Sequence, residues 1–366
     1  MSTAAPALTQ ANPVIGTDTD AAGIDTIIGD IAHLLIQEGA RIDQDLMVVE
    51  RSGHLALASL TGEPKTRFID LPTHALVPVD SLTWDDDAAT VCLAEGAETL
   101  TGRQHTLLDL HIALWNATGK LAAFRDAHPR VAALLDPQLR DAITKIRPGF
   151  TPGNTTRDML RTRTFSLRSG ESSASVVMPI LELADHHPFG APYTLVDGHL
   201  GANYSFVDDT GLSYVRYGPH RDAIDLACLY GYATDFTTFF VSAPMTLDLQ
   251  GFGTLTIERS VQRHAAPTWR AEEGILRINY LLLDAFTGLF DALHHPVREF
   301  LLTQGASRSQ ALSLAIDTAE MIMHANNQRL NDLIVAAERV PHQGASTIAL
   351  AAAHQRAVID VVGELA

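Results

Sequence analysis

The stretch Pro179-Ile-Leu-Glu-Leu-Ala-Asp-His-His-Pro188 sets two carboxylates and two adjacent histidines between prolines in an otherwise apolar run. Short strand-like segments surround it. Ser175-Val-Val-Met178 precedes it, and Ala202-Asn-Tyr-Ser-Phe-Val207 and Leu212-Ser-Tyr-Val-Arg-Tyr217 follow. A short helix is expected from about Arg221 to Tyr230, and Met245 to Glu258 alternates like a strand.

Outward toward the N-terminus, Ile24, Ile27, Ile28, Ile31, Leu34 and Leu35 recur at helical spacing, and Gly39 is a plausible stop. Leu46-Met-Val-Val-Glu50, Leu55-Ala-Leu-Ala58 and Phe68-Ile-Asp-Leu71 read as short strands punctuated by Gly, Pro and charged residues. From about Gln104 to Lys145 the period is helical again, with Leu107, Leu108, Leu114 and Trp115 in a first helix and a second around Val131 to Ile146. Arg147-Pro-Gly-Phe-Thr-Pro-Gly-Asn154 breaks that pattern. After Pro267 the spacing of Ile275, Ile278, Leu282, Phe286 and Leu289 predicts helix, as does Ala311 to Ala337. The order is therefore strands, helical insert, strands, helical tail, which argues against a doubly wound sheet with regular alternation.

The chain has 366 residues, 46% of them hydrophobic, enough for a substantial core and more than one domain. Its net charge of −17, from 43 acidic and 26 basic residues, opposes binding to a phosphate backbone and suits a cationic ligand. Cys92 and Cys228 have no paired spacing, so both are expected to be buried thiols. Met1 to about Gly23 lacks the basic start and apolar run of a signal peptide, and no run approaches the ~18 apolar residues of a membrane span. A cytoplasmic protein with no membrane or nucleic-acid partner is expected.

Taken together, the segments resemble SET-domain methyltransferases of the plant Rubisco large-subunit lysine methyltransferase branch. In Pro179 to Pro188, Glu182 takes the family's Asp position, Asp185 its Asn and His186 its His. Val215-Arg-Tyr-Gly-Pro-His220 is similar to the family's strand ending in Tyr-Gly, and Ala223-Ile-Asp-Leu-Ala-Cys-Leu-Tyr-Gly-Tyr232 to its acidic-Leu-x-x-x-Tyr-Gly-aromatic helix. Leu160-Arg-Thr-Arg-Thr-Phe165 looks like the Ser-Arg-aromatic segment that closes the helical insert. The family's early Gly-x-Gly falls within Glu50-Arg-Ser-Gly-His-Leu-Ala56, where only Gly53 is present. If Gly53 is the first glycine, Leu55 holds the second position; if it is the second, Arg51 holds the first.

The resemblance implies an α+β fold: a SET-type β domain over 24–266 with a helical insert at about 104–165, after a flexible tail at 1–23 and before a helical C-terminal domain at 267–366. It implies S-adenosylmethionine as cofactor and an amine-bearing acceptor, either a protein lysine or a small amino-acid-like molecule. Tyr230 would stand at the transfer site with Tyr217 beside it; the bland reading makes both ordinary core aromatics. Gly53, Arg163, Asp185 and His186 would form the cofactor pocket. Arg163 suits a carboxylate, the alternative being a structural ion pair; Asp185 suits an ammonium, the alternative being a turn residue. His186 is assigned to pocket architecture, while His187 and Pro188 shape the turn.

Methyl transfer to an amine needs alignment, a neutral amine and polarised oxygens around the methyl group, which tyrosine hydroxyls can supply. A second reading is a SET-like small-molecule enzyme without methyl transfer, with His186, His187, His199 and His220 as metal ligands, although their spacing matches no zinc motif. A third is a non-catalytic binding protein. His294-His295 is expected to end a helix, where a positive charge suits the macrodipole.

Overall fold

The computed structural model describes residues 15–19, 23–51, 53–59, 61, 66–85, 88–95, 97–153, 156–169, 172–205, 210–217, 221–259, 268–284 and 290–364. It is an α+β protein whose contacts group into two compact units, Met1–Ala122 with Met159–Tyr217, and Ala123–Asp158 with Gly218–Ala366. Among the described residues, no helix is long and apolar enough to cross a membrane.

In the first unit, helix Ile24–Gln37 buries Ile24, Ile28, Ile31 and Leu35 on one face and ends before Gly39, whose positive φ of 95° favours glycine. It packs against helix Gly102–Ala117, whose start is closed by a reciprocal capping box between Thr101 and Gln104. Strand Met47–Arg51 pairs antiparallel with His54–Ala58 and parallel with Gly16–Asp18. A four-stranded sheet runs in the order Thr194–Val196, His199–Asn203, Arg67–Pro72 and Arg41–Ile42. Hairpin Thr164–Ser169 with Ser172–Val177 leads into the 179–188 segment, whose strand Asp185–Pro192 lies parallel to Tyr214–Arg216. The core gathers Leu35, Leu46, Leu57, Phe68, Leu71, Leu107, Ile180, Leu181 and Val215.

In the second unit, helix Ala223–Tyr230 is capped by Asp222, whose carboxylate accepts from Asp225 N at 2.8 Å. A four-stranded sheet contains Met245–Asp248, Thr254–Glu258, Ile275–Asn279 and Thr268–Glu272, in that order. Helices Arg308–Glu338 and Gln343–Glu364 pack together and supply much of the core.

Several expectations are corrected. Residues 268–284 form three strands, not helix: Glu273 and Gly274 both have positive φ, making a two-residue hairpin turn, and the alternating Leu276 and Ile278 are the buried pair. The 3- and 4-residue spacing of Ile275, Ile278 and Leu282 mimicked a helical face; Phe286 and Leu289 lie outside the described residues. Within the expected tail, Ile15 is buried and Gly16–Asp18 is an edge strand, the rest of 1–14 and 20–22 lying outside the described residues. Cys228 is buried but Cys92 is exposed, because its strand alternates and Val91 takes the inward position. His294 is the last residue of a short π-helix, Phe290–His294, but the chain does not stop there: it runs straight on into α-helix His295–Thr303. Burial lowers the pKa of His294, opposing a charge there.

Candidate functional site

The candidate site in the first unit is built around a strained turn. Ile180, β-branched and fully buried, has φ 62° and ψ −50°, and Leu181 N donates to Pro179 O at 2.7 Å across it. This is a γ-turn, a conformation that costs a residue of this shape roughly 1–3 kcal/mol. Burial of Ile180 and Leu181 in the core holds it, and the chain is thereby turned so that Glu182 faces inward and Asp185 outward.

Glu182 has no solvent-exposed side-chain surface. Its Oε1 accepts from Trp115 Nε1 at 3.0 Å, its Oε2 from Arg163 Nη1 at 2.9 Å, and Lys120 Nζ reaches both oxygens at 3.3 and 3.1 Å. Burial alone would raise its pKa, but Lys120, Arg163 and the Trp115 hydrogen bond hold it well below the usual carboxylate range. Burial, aided by the Arg163 charge and opposed by Glu182, brings Lys120 down to about 8. His111, fully buried with Nε2 at 3.8 Å from Glu182, is lowered by burial to about 4. Neither ring nitrogen of His111 finds a hydrogen-bond partner among the described residues.

On the outward side, His54 Nε2 lies 3.2 Å from Asp185 Oδ2. His186 Nδ1 accepts from Tyr217 N at 3.0 Å, so Nδ1 carries no proton, and its ring stacks on Tyr217 at 4.9 Å. Tyr217 Oη donates to Ala184 O at 2.9 Å. The 185–186 pair is thus clasped from both ends by the residue that closes strand Tyr214–Arg216.

Gly53 has φ 78° in the tight turn between Met47–Arg51 and His54–Ala58. A Cβ there would meet nothing within 4 Å, so the turn conformation requires this glycine, not crowding by the protein. Leu55 is buried in the core with Leu57, so the alternation of the strand aims it away from the face that carries His54.

Among the sequence-selected residues, the Gly53 turn is joined to Asp185 through His54, Tyr217 contacts His186 and Ala184, and Arg163 joins the Glu182 cluster. Arg163 Nε is buried with no acceptor among the described residues, leaving a guanidinium donor uncommitted. Tyr230 belongs to the second unit, where it is the last residue of its helix, ahead of Gly231 at φ 73°, with the Arg221 guanidinium 5.6 Å above its ring centroid. His187 Nδ1 accepts from Phe189 N at 3.1 Å and His199 Nδ1 is 3.0 Å from Asp197 O, both local turn contacts. His220 lies outside the described residues. Among the described residues, no three His, Cys, Asp or Glu side chains gather so as to hold a metal ion.

Sequence reasoning missed His54, Lys120, Trp115 and His111. His54 carried a signal, since it lies inside the glycine segment; the others lie in the helical insert and show nothing local that points to Glu182.

No family model matches the chain, and no curated protein matches it. Solved structures do align. The SET domain of LSMT bound to lysine and AdoHcy matches at 12% identity and TM-score 0.42, covering 94% of this chain and 91% of that one. Rubisco LSMT bound to AdoMet matches at 12% identity and TM-score 0.43, covering 93% and 91%. Rubisco LSMT bound to sinefungin and monomethyllysine matches at 12% and 0.42, with the same 93% and 91% coverage. Agreement at that level assigns no activity.

Proposed function

We propose that this chain is a SET-type N-methyltransferase of the Rubisco large-subunit lysine methyltransferase kind, using S-adenosylmethionine and an amine acceptor, either a protein lysine or a small amino-acid-like molecule. The observation that carries this reading is the convergence of three distant motifs: the Gly53 hairpin, the Asp185-His186 pair and Tyr217 meet through contacts of 3.2, 3.0 and 2.9 Å. Leu55 supports it as well, because its side chain turns into the core and does not fill the face where a cofactor would lie.

The residues fit the amino-acid end of such a cofactor. Asp185, whose side chain is 32% exposed, can accept hydrogen bonds from an ammonium group. Arg163, anchored on Glu182 through Nη1 and with its side chain 21% exposed, would turn the open edge of its guanidinium to a carboxylate. His186 holds the backbone of Tyr217, and Tyr217 commits its proton to Ala184 O, which fixes the direction of its hydroxyl. Tyr230 is proposed for a second hydroxyl on its motif alone. When bound, S-adenosylmethionine supplies a methyl group on a sulfonium, which an amine lone pair displaces in line. The net charge of −17 favours a cationic acceptor, which must lose a proton before reacting.

A SET-like protein that has given up methyl transfer is the second reading, favoured by the absent glycine and by His54 lying on Asp185. Calorimetric titration with S-adenosylmethionine and S-adenosylhomocysteine separates the two. Micromolar binding that Asp185→Ala weakens supports the methyltransferase; no binding of either ligand to the parent chain or to a His54→Ala variant removes it.

A further inference from the structure

Resting on the cofactor site just proposed, we infer that His54 is a built-in competitor for it: the imidazole holds the Asp185 carboxylate that the ammonium of an amino-acid-bearing ligand must take, and such a ligand enters by displacing it.

The glycine segment and the departure at Asp185 meet in one contact. Asp185 stands where the family has Asn, and an ionised carboxylate has no donor of its own, only acceptor oxygens. The donor it meets is His54 Nε2, at 3.2 Å, from a residue 131 positions earlier in the chain. That meeting is geometrically specified. The tight turn at Gly53, with φ 78°, sets Arg51 opposite His54 and directs the imidazole from the first residue of its strand. Asp185 in turn is positioned by the γ-turn at Ile180 and by pairing of its backbone with Tyr214.

Both partners can part. Their side chains are 51% and 32% exposed, so neither is locked by burial, and solvent screens an exposed charged pair of this kind so that little holds it together. By contrast, Glu182, three residues earlier, is saturated by Trp115, Lys120 and Arg163 and fully buried. Of the two carboxylates in the motif, Asp185 is the one a ligand can reach, and His54 already occupies it.

Histidine ordinarily changes charge between pH 5 and 8. An imidazolium grips Asp185 more tightly and repels an incoming ammonium, so ligand affinity falls as pH falls. The charged groups on the face of His54 are Arg51, directly opposite it on the paired strand, and Asp185 at 3.2 Å, while Glu50 pairs with Leu55 on the other face and Glu182 is turned into the core. Lys120 interacts electrostatically with Asp185. His186 is the other imidazole here, and its Nδ1 is already engaged by Tyr217 N.

The test is calorimetric titration of the full chain with S-adenosylhomocysteine at pH 5.5, 6.5 and 7.5, for the parent chain, His54→Ala and His54→Asn. The parent should weaken about two- to five-fold from pH 7.5 to 5.5, the range an exposed pair supports. Both variants should bind with little pH dependence, and His54→Ala should bind about two- to five-fold more tightly than the parent at pH 5.5. Variants that bind no more tightly and keep the parent's pH slope overturn the inference while leaving the methyltransferase reading intact. Absence of binding by all three proteins at every pH overturns that reading itself, and the inference with it.

Discussion

Arg163 Nη1 donates to Glu182 Oε2 at 2.9 Å, and the carboxylate it meets is closed to solvent. The arginine selected for a cofactor contact is therefore first a structural residue, anchored on one nitrogen and uncommitted on another. The two readings of Arg163 are compatible, because a guanidinium has five donors in a rigid fork.

Glu182→Gln keeps the shape of that anchor and removes its charge. Lys120 and Arg163 would then face each other across a neutral amide, and breaking a buried ionic arrangement in this way costs about 3–5 kcal/mol. Urea denaturation at pH 7 should show that loss; a change under about 1 kcal/mol would mean the cluster carries no such energy.

His111 should make stability fall in mild acid. Burial brings its folded-state pKa down to about 4 from 6.5, so the unfolded chain binds the proton first. The contribution is complete above pH 6.5, declines as pH drops toward 4, and changes at about 1.4 kcal/mol per pH unit for one proton. His128, lowered by burial to about 3, adds a second slope of the same sign. Denaturation of His111→Phe between pH 7 and 4.5 should show a slope smaller by about one proton, and an unchanged slope would refute the assignment.

In the second unit, Arg259 Nη2 reaches both oxygens of Asp222 at 3.1 Å and Asp225 Oδ1 at 3.0 Å, with its own side chain 3% exposed. Arg259→Met leaves two buried carboxylates with less compensation; Arg147 still holds Asp225 at 2.8 Å, but among the described residues Asp222 keeps backbone donors, Asp225 N and Val241 N. A loss of about 3–5 kcal/mol is expected. The measurement is thermal or chemical unfolding, and Asp222→Asn in the Arg259→Met background should recover part of it.

Tyr217→Phe removes the hydrogen bond to Ala184 O and should cost about 1 kcal/mol of stability. On the proposed function, it and Tyr230→Phe each lower kcat for methyl transfer by about ten- to a hundred-fold, as expected where fixed dipoles stabilise developing charge. Affinity for S-adenosylhomocysteine should stay within about twofold. Turnover unchanged in both variants would take the hydroxyls out of the chemistry.

Much of the local structure was legible because its causes are local. The spacing of Ile24, Ile28, Ile31 and Leu35 specified a buried helical face, and Gly39 its end. Thr101 and Gln104, and Ser307 and Gln310, sit at capping-box spacing at the starts of their helices. The misread strands at 268–284 show the limit: a few apolar residues fit either period, and the decision came from the positive-φ pair Glu273 and Gly274 together with pairing of Ile275–Asn279 to Thr254–Glu258. Such pairing is a long-range event that no window of sequence contains.

By itself the sequence determined the acidic character, the helical faces, the Gly53 turn and the order of the motifs, since composition and short-range spacing are properties of the chain before it folds. Only the tertiary structure decided what those residues meet. Glu182 takes its partners from 67, 62 and 19 positions away, and Asp185 takes His54 from 131. Electrostatic and hydrogen-bond energies depend on separation in space, and that separation is set by core packing around Ile180 and Leu181.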